Sequence, residues 1–589
     1  MFAGSLTIHT DAAAPAAGLA HHAIGGPVRL SANRADLLAR SEGSDTIVVA
    51  HGRLCAAAGL GDARLPVAQR ILAGWERWGP RLVEEMHGEY AFALWCARTQ
   101  RLWLARDHLG NYPLFLARIA GRLHFASDLR SLRALAGWSD PDPVAVLDHL
   151  LLLPGDPRRS AWRGIERLPA AQLRSYDAAG RVRQQAHSSL APVGTPARSD
   201  HEWVEGFRGH LLRAVAERFD PTDTGAGLSG GLDSSAVAAT AIHLAGDARV
   251  RLYAVRFPDV PESDEGRHIA AFAESIPAAL RELGAPDSPL NCHRRLLPWL
   301  DEPMLPQNLH LPCALYAAAR ADGLHALLDG HDGDSALGRW SSRLAPPAAR
   351  WWTRVWRRWR RPPPVSLALG LLNPRFARRH AAAARLEAAR RQRQTAARDS
   401  LAAHLHELGN GLPAYASERL TGIAKAHGIV ARHPLYDREL LRWCIAAPVF
   451  LKNRDGCTRW LMREALAGLL PESLRWRGDK TSLAPQFHRR FVGLDAGRVD
   501  ALLREQADAL ADYVDLTAVR TCWQAYRAAP NDAASVALWA VATLADWLAY
   551  AREPLILSSD TASQSLRSSE AANAQAAGRS ASLSGYSKA

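Results

Sequence analysis

The spacing of apolar and polar residues changes character along the 589-residue chain. Up to about residue 190 the apolar runs are short and strand-like: DTIVVAHGRL (45–54), EYAFALWCA (89–97), RLWLARD (101–107) and LHFASD (123–128). LAPVGTPARSD (190–200) has the composition of a linker. Beyond it, helical and strand-like runs alternate. HEWVEGFRGHLLRAVAERF (201–219) reads as a helix, RVRLYAVRF (249–257) and LHALLDG (324–330) as strands, with helical stretches between. Such alternation predicts a parallel sheet covered on both faces. From 398 to 557 the pattern is mostly helical, and 558–589 is low-complexity and reads as disordered. The expected architecture is α/β: a first domain over 1–190, a linker at 191–200, a second domain over 201–557 and a tail.

The stretch with most chemistry in it is GLSGGLDSS (227–235), placed between a strand ending near Leu228 and a helix starting near Ser234. Gly230 and Gly231 let the backbone turn tightly and present its N–H groups. Ser229, Ser234 and Ser235 add hydroxyls, and the helix N-terminus adds partial positive charge, so the loop suits an anion such as pyrophosphate. Asp233 would repel a bare phosphate and implies a bridging cation, Mg²⁺ being the natural one. Taken alone, S-G-G also fits an ordinary serine-capped turn; S-G-G-x-D-S-S between strand and helix is more specific. Neither a Walker lysine nor the G-x-G-x-x-G spacing is present.

This loop resembles that of the pyrophosphate-loop ATPases, the asparagine synthetase family in particular. That resemblance implies ATP cleaved to AMP and pyrophosphate, a carboxylate activated as an acyl-adenylate, and an amine that displaces AMP. LYAVRFPDVPESDEGRHIAAFA (252–273) is similar to the family's second strand, implying adenine contact near Val255, and to its acidic turn at Asp264 and Glu265. ALLDGHDGDSALG (326–338) resembles the second phosphate-side loop, implying a role for Gly330 and a second Mg²⁺ ligand at Asp334; Ser335 stands where a glutamate is usual. ERLTGIAKAHGIVARHPLYDRELLRWCIAAP (418–448) resembles the helical segment beneath the site. REALAGLLPESLRWRGDKTSLAP (463–485) resembles the segment whose lysine stabilises the adenylate transition state. Lys480 is the candidate and Arg477 its rival, because WRGDK carries one residue more than the family spacing. Outside that context Lys480 would read as a surface charge and Asp334 as a turn residue.

GEYAFALWCARTQRLWLARDHLGNYPLFLARIAGRLHFASDLRSL (88–132) resembles the family's glutaminase half, implying an N-terminal-nucleophile-type αββα sandwich. The family nucleophile is a cysteine at position 2. Here the residue is Phe2, which offers no thiolate. AHGRLC (50–55) also stands where an Asn-Gly-Glu run is expected. The domain is therefore read as a degenerate glutaminase, and the amine as one supplied by the substrate, as in the family's β-lactam synthetases and lasso peptide cyclases. A lasso cyclase joins a precursor peptide's N-terminal amine to an Asp or Glu side chain of the same peptide, and implies a leader peptidase as companion. The alternatives are a synthetase using ammonia or another small amine, and an ATP-binding scaffold without activity.

Charge refines this picture. The net charge of +13 resembles a nucleic-acid signal until it is mapped: residues 339–398 hold sixteen arginines against Glu387 alone. That window contributes +15, leaving −2 for the rest, and no RNA-binding motif accompanies it, so no nucleic-acid partner is expected. Within RWWTRVWRRWRRPPP (350–364), Trp352, Val355, Trp356 and Trp359 would line one face of a helix that the prolines end. A packed, solvated insertion is weighed against docking of an acidic peptide or partner and against contact with an anionic membrane surface. Seven scattered cysteines without a C-x-x-C pair, and no signal-peptide pattern, read as a reducing, cytoplasmic setting. AASVALWAVATLADWLAYA (533–551) carries Asp546 in its interior and reads as a buried helix rather than a membrane span.

Overall fold

The computed structural model describes residues 2–6, 21–25, 28–41, 43–55, 59–137, 140–177, 179–187, 190, 198–246, 249–284, 288–338, 364–396 and 399–553. The tryptophan-bearing helix expected near 350–361, most of the linker and the 558–589 tail lie outside them.

In the first domain the strand-like runs form two antiparallel six-stranded sheets. One has the order 165–167, 115–119, 122–126, 2–6, 28–32, 21–25; the other has 182–186, 172–177, 101–106, 88–96, 47–54, 38–40. Their facing surfaces bury Leu30, Val49, Trp95, Leu104, Leu116 and Phe125 in one apolar layer, as expected of stacked sheets with alternating side chains. Helix Val67–Trp78 packs its apolar face on the outside of the second sheet through Ile71, Leu72 and Trp75. Helix Leu129–Ala136 covers strands of the first. The αββα arrangement expected from the sequence is thus present.

The second domain opens on helix Asp200–Ala216, whose Ser199 and Glu202 form a reciprocal capping box, so the helix takes up the last residue of the presumed linker. Its sheet has five parallel strands in the order 279–284, 251–256, 224–227, 326–328, 430–432. Strand Val430–Arg432 interrupts the segment 418–448, which the sequence reads as helical. Helix Leu412–Ala426 stops at Gly428, where φ is +68°, and the chain turns into an edge strand.

Helix Asp532–Ala551 is long and apolar enough to cross a membrane, and it is a core helix here. Asp546 is fully buried and meets His293 Nδ1 at 2.8 Å and Arg498 Nη2 at 2.9 Å. In the arginine-rich segment the described residues form helices Pro364–Gly370, Pro374–Arg379 and Ala382–Ala396; the last two are separated at His380 and Ala381, where φ reaches +52°.

Candidate active site

Strand order in the second domain reverses between 224–227 and 326–328, and open parallel sheets bind ligands outside the carboxyl ends of the strands at such a point. The loops leaving these two strands are the glycine loop and the Asp334 loop. Leu228 is buried and donates its N–H to Tyr253 O at 2.8 Å, fixing the end of the first strand. Gly230 then takes φ +75°, and helix Leu232–Ala245 begins after Gly231 with no side-chain cap, which leaves its first N–H groups available to an anion. Ser234 Oγ accepts from Ser229 N at 3.0 Å and lies 2.8 Å from Ser229 Oγ, so these two hydroxyls brace the turn. Ser235 differs from them: its side chain is fully buried and its Oγ has no hydrogen-bond partner. Ser229 and Ser234 thus stand at the turn itself, and Ser235 lies buried behind it. Val255, half-buried on strand Arg251–Arg256, lies two residues beyond the Gly227–Tyr253 pairing, at the same carboxyl edge.

The second loop is pressed onto the first. A Cβ on Gly330 would fall 2.3 Å from Ser234 N, and one on Gly333 would fall 2.5 Å from Asp233 Cγ. Glycine at both positions is thus a condition of close approach. Asp332, at φ +52°, starts the one-turn helix Gly333–Ala336 that carries Asp334. Ser335 donates to Asp332 Oδ1 at 2.7 Å and Tyr436 Oη to Asp332 Oδ2 at 2.9 Å, so Ser335 holds the loop.

Asp233 and Asp334 converge on one cation that the sequence reading missed. Arg459 Nη1 lies 2.8 and 2.7 Å from the two oxygens of Asp233 and 3.1 Å from Asp334 Oδ1. Burial pushes the Asp233 carboxyl above the usual range, Arg459 opposes that, and the nearby Asp334 adds to it. Lys480 Nζ reaches Asp334 Oδ2 at 2.7 Å from a side chain that is 76% exposed. Its rival Arg477 is turned elsewhere: it donates to Gly230 O at 2.8 Å, Glu265 Oε1 at 2.9 Å and Thr481 Oγ1 at 3.0 Å, and is 5% exposed. Asp264, beside Glu265, is taken by Arg256 at 2.9 Å. The acidic turn therefore supports the loop from behind.

Among the described residues no cluster of three or more Asp, Glu, His or Cys is placed to hold a metal. Two carboxylates focused on one cationic position do fit Mg²⁺, which commonly takes one or two protein carboxylates and completes its shell with phosphate oxygens and water.

A parallel sheet with the glycine loop and paired carboxylates at its switch point, joined to an αββα sandwich, defines an α/β protein with a polar cleft where such sheets receive ligands. Residues 206–549 match the asparagine synthase family model and residues 68–187 the glutamine amidotransferase domain model; the chain belongs to the asparagine synthase family. It is 29% identical over 316 residues to a putative glutamine-hydrolysing asparagine synthetase of Mycobacterium tuberculosis (strain H37Rv), covering 52% of this chain and 47% of that one. It is 27% identical over 416 residues to the carboxyethyl-arginine β-lactam synthase of Streptomyces clavuligerus, covering 70% and 66%. The matched part spans about half the length of the mycobacterial relative. A solved glutamine phosphoribosylpyrophosphate amidotransferase of B. subtilis, complexed with ADP and GMP, is 13% identical with a TM-score of 0.21, over 45% of this chain and 68% of that one.

Proposed function

We propose that this protein is an ATP- and Mg²⁺-dependent ligase that closes a macrolactam ring within one precursor peptide, as a lasso peptide cyclase does. The observation that supports it best is the convergence of Asp233, Asp334, Arg459 and Lys480 beside the glycine loop. In this reading the N–H groups of the loop and helix start, with Ser229 and Ser234, hold the phosphates of ATP. Asp233 and Asp334 would hold Mg²⁺, which would supply positive charge for the pyrophosphate leaving group. A side-chain carboxylate of the peptide attacks the α-phosphate, giving an acyl-adenylate. The peptide's N-terminal amine then attacks the acyl carbon and AMP leaves. Lys480, on its exposed loop, supplies positive charge where negative charge develops on the acyl and phosphate oxygens.

Two features favour an amine carried by the substrate. The β-lactam synthase relative is named for closing a ring. In the first domain Cys55 and Cys96 are both buried, and burial pushes the Cys55 thiol up to about 12, which disfavours a thiolate there for glutamine hydrolysis. The mycobacterial relative favours a second reading, an amide synthetase supplied with ammonia. A companion leader peptidase and a cytoplasmic setting belong to the first reading.

ATP–pyrophosphate exchange separates the possibilities. Exchange that requires a linear precursor peptide is the expected result. Exchange with aspartate alone would replace the cyclase reading by the synthetase one, and exchange with neither would leave an ATP-binding scaffold.

A further inference from the structure

The one-turn helix Gly333–Ala336, which carries Asp334, ends in carbonyl groups that so short a helix cannot satisfy by itself. His404, fully buried on helix Ser400–Gly409, points its Nε2 at two of them, 3.0 Å from Ser335 O and 3.2 Å from Ala336 O. Its Nδ1 lies 3.2 Å from Lys452 Nζ. An ammonium only donates, so Nδ1 accepts, Nε2 carries the ring proton, and His404 donates it to the carbonyls. Burial and the neighbouring Lys452 pull the imidazole down to about 3, which keeps it in this neutral form.

Lys452 is 4% exposed and also donates to Ile445 O at 3.1 Å. It stands at the foot of a two-stranded hairpin, Asn453–Arg454 against Cys457–Thr458, and its own carbonyl closes that hairpin by accepting from Arg459 N at 2.7 Å. Arg459 is the cation on which Asp233 and Asp334 converge. One buried lysine therefore reaches both members of the Asp334–Arg459 pair. Its side chain meets the helix of Asp334 through His404, and its main chain meets Arg459 directly. A buried ammonium is costly to desolvate, and burial pulls Lys452 down to about 8. An apolar side chain of similar volume would avoid that cost, so packing alone does not call for a lysine here. Groups behind a metal ligand set its orientation, and their loss commonly weakens metal binding about 10- to 100-fold.

We infer that Lys452 and His404 are positioning residues that fix the Asp334 carboxylate against Arg459 and so set the Mg²⁺ requirement of nucleotide binding. They act through the Ser335 and Ala336 carbonyls and the Arg459 main chain. The inference rests on the proposed role of Asp334 as a Mg²⁺ ligand.

The test is equilibrium dialysis of ATP against the full-length protein over a range of Mg²⁺ concentrations, which needs no turnover. The wild type is expected to bind ATP more tightly as Mg²⁺ rises. Lys452→Met and His404→Asn, which break the two links of the chain, are expected to need about tenfold more Mg²⁺ for the same tightening. His404→Gln places an amide N–H near the position of Nε2 and is expected to keep the wild-type requirement. Amide hydrogen exchange across residues 333–338, followed by mass spectrometry, is expected to quicken in the first two variants and not in the third. A wild-type Mg²⁺ requirement in folded Lys452→Met and His404→Asn proteins would overturn the inference. So would a glutamine variant as impaired as the asparagine one, because the donated hydrogen bond would then not be what matters. ATP binding by the wild type that does not respond to Mg²⁺ would remove the metal role of Asp334 itself, and the inference with it.

Discussion

Lys480 and Asp334, 146 residues apart in sequence, meet at 2.7 Å across the mouth of the cleft, while Arg459 holds the other oxygen of the same carboxylate at 3.1 Å. Lys480 is also the more exposed of the two rival cations, at 76% against 5% for Arg477. A group that must meet developing charge on a bound substrate has to be free to leave its resting partner. Lys480→Ala is therefore expected to lower kcat about 100- to 1000-fold with little change in ATP binding, the usual scale for removing one electrostatic stabiliser. A proportional loss of ATP affinity, measured by equilibrium dialysis, would assign Lys480 to ground-state binding instead.

Arg477→Ala should behave differently. It leaves Glu265 and Gly230 O without their buried donor, and removal of one partner from a buried pair costs on the order of 3 kcal/mol. A lower urea midpoint is expected for Arg477→Ala and an unchanged one for Lys480→Ala. The reverse pattern would exchange their roles.

Close approach of the two loops makes its own prediction. Gly330→Ala would press a methyl group against the Ser234 backbone, which cannot rotate away as a side-chain end could. Loss of ATP–pyrophosphate exchange by at least tenfold is expected. Gly497→Ala, in helix Ala496–Glu505 with nothing within 4 Å of the new Cβ, should instead stabilise the protein by about 0.5–1 kcal/mol. Activity retained in Gly330→Ala would show that the loops can separate without harm.

Much of this arrangement was legible in the sequence because local physics determines it. The strands of the first domain follow apolar runs, and the 227–235 loop combines glycine, serine and aspartate in an order that suits an anion and a cation together. Arg459 was not legible. It is one of 72 basic residues, and its place depends on an αL backbone at φ +60° and on a partner 226 residues away. The burial of Ser235 was hidden for a similar reason: two adjacent serines at a helix start look alike until the sheet beneath is known. Strand Val430–Arg432 is three residues long between helices, too short for periodicity to register, and its pairing with 326–328 is what makes it a strand.

The core helix Asp532–Ala551 depends on its one buried acid. Asp546 satisfies His293 and Arg498, and its carboxyl is held below the ordinary range by these partners against the opposing effect of burial. Asp546→Ala removes that compensation and is expected to destabilise the protein by about 3–5 kcal/mol. Soluble, folded protein with an unchanged urea midpoint would mean that the cluster contributes nothing to stability.

Asp495 gives the pH dependence a definite sign. It is 1% exposed, accepts from Ser288 Oγ and from Leu290 N at 3.2 Å, and burial pushes its carboxyl up to about 6 despite those donors. An unfolded aspartate titrates near ~3.9. Between about pH 4 and 6 the folded state therefore holds more protons than the unfolded one, and the contribution of Asp495 to stability falls as pH rises through that window. Asp495→Asn keeps an oxygen acceptor for Ser288 and Leu290 without the charge. Relative to the wild type, the variant should gain on the order of 2 kcal/mol on going from pH 4 to pH 7. Urea midpoints of both proteins at the two pH values test this, and an equal difference at both would show that Asp495 does not titrate in the window.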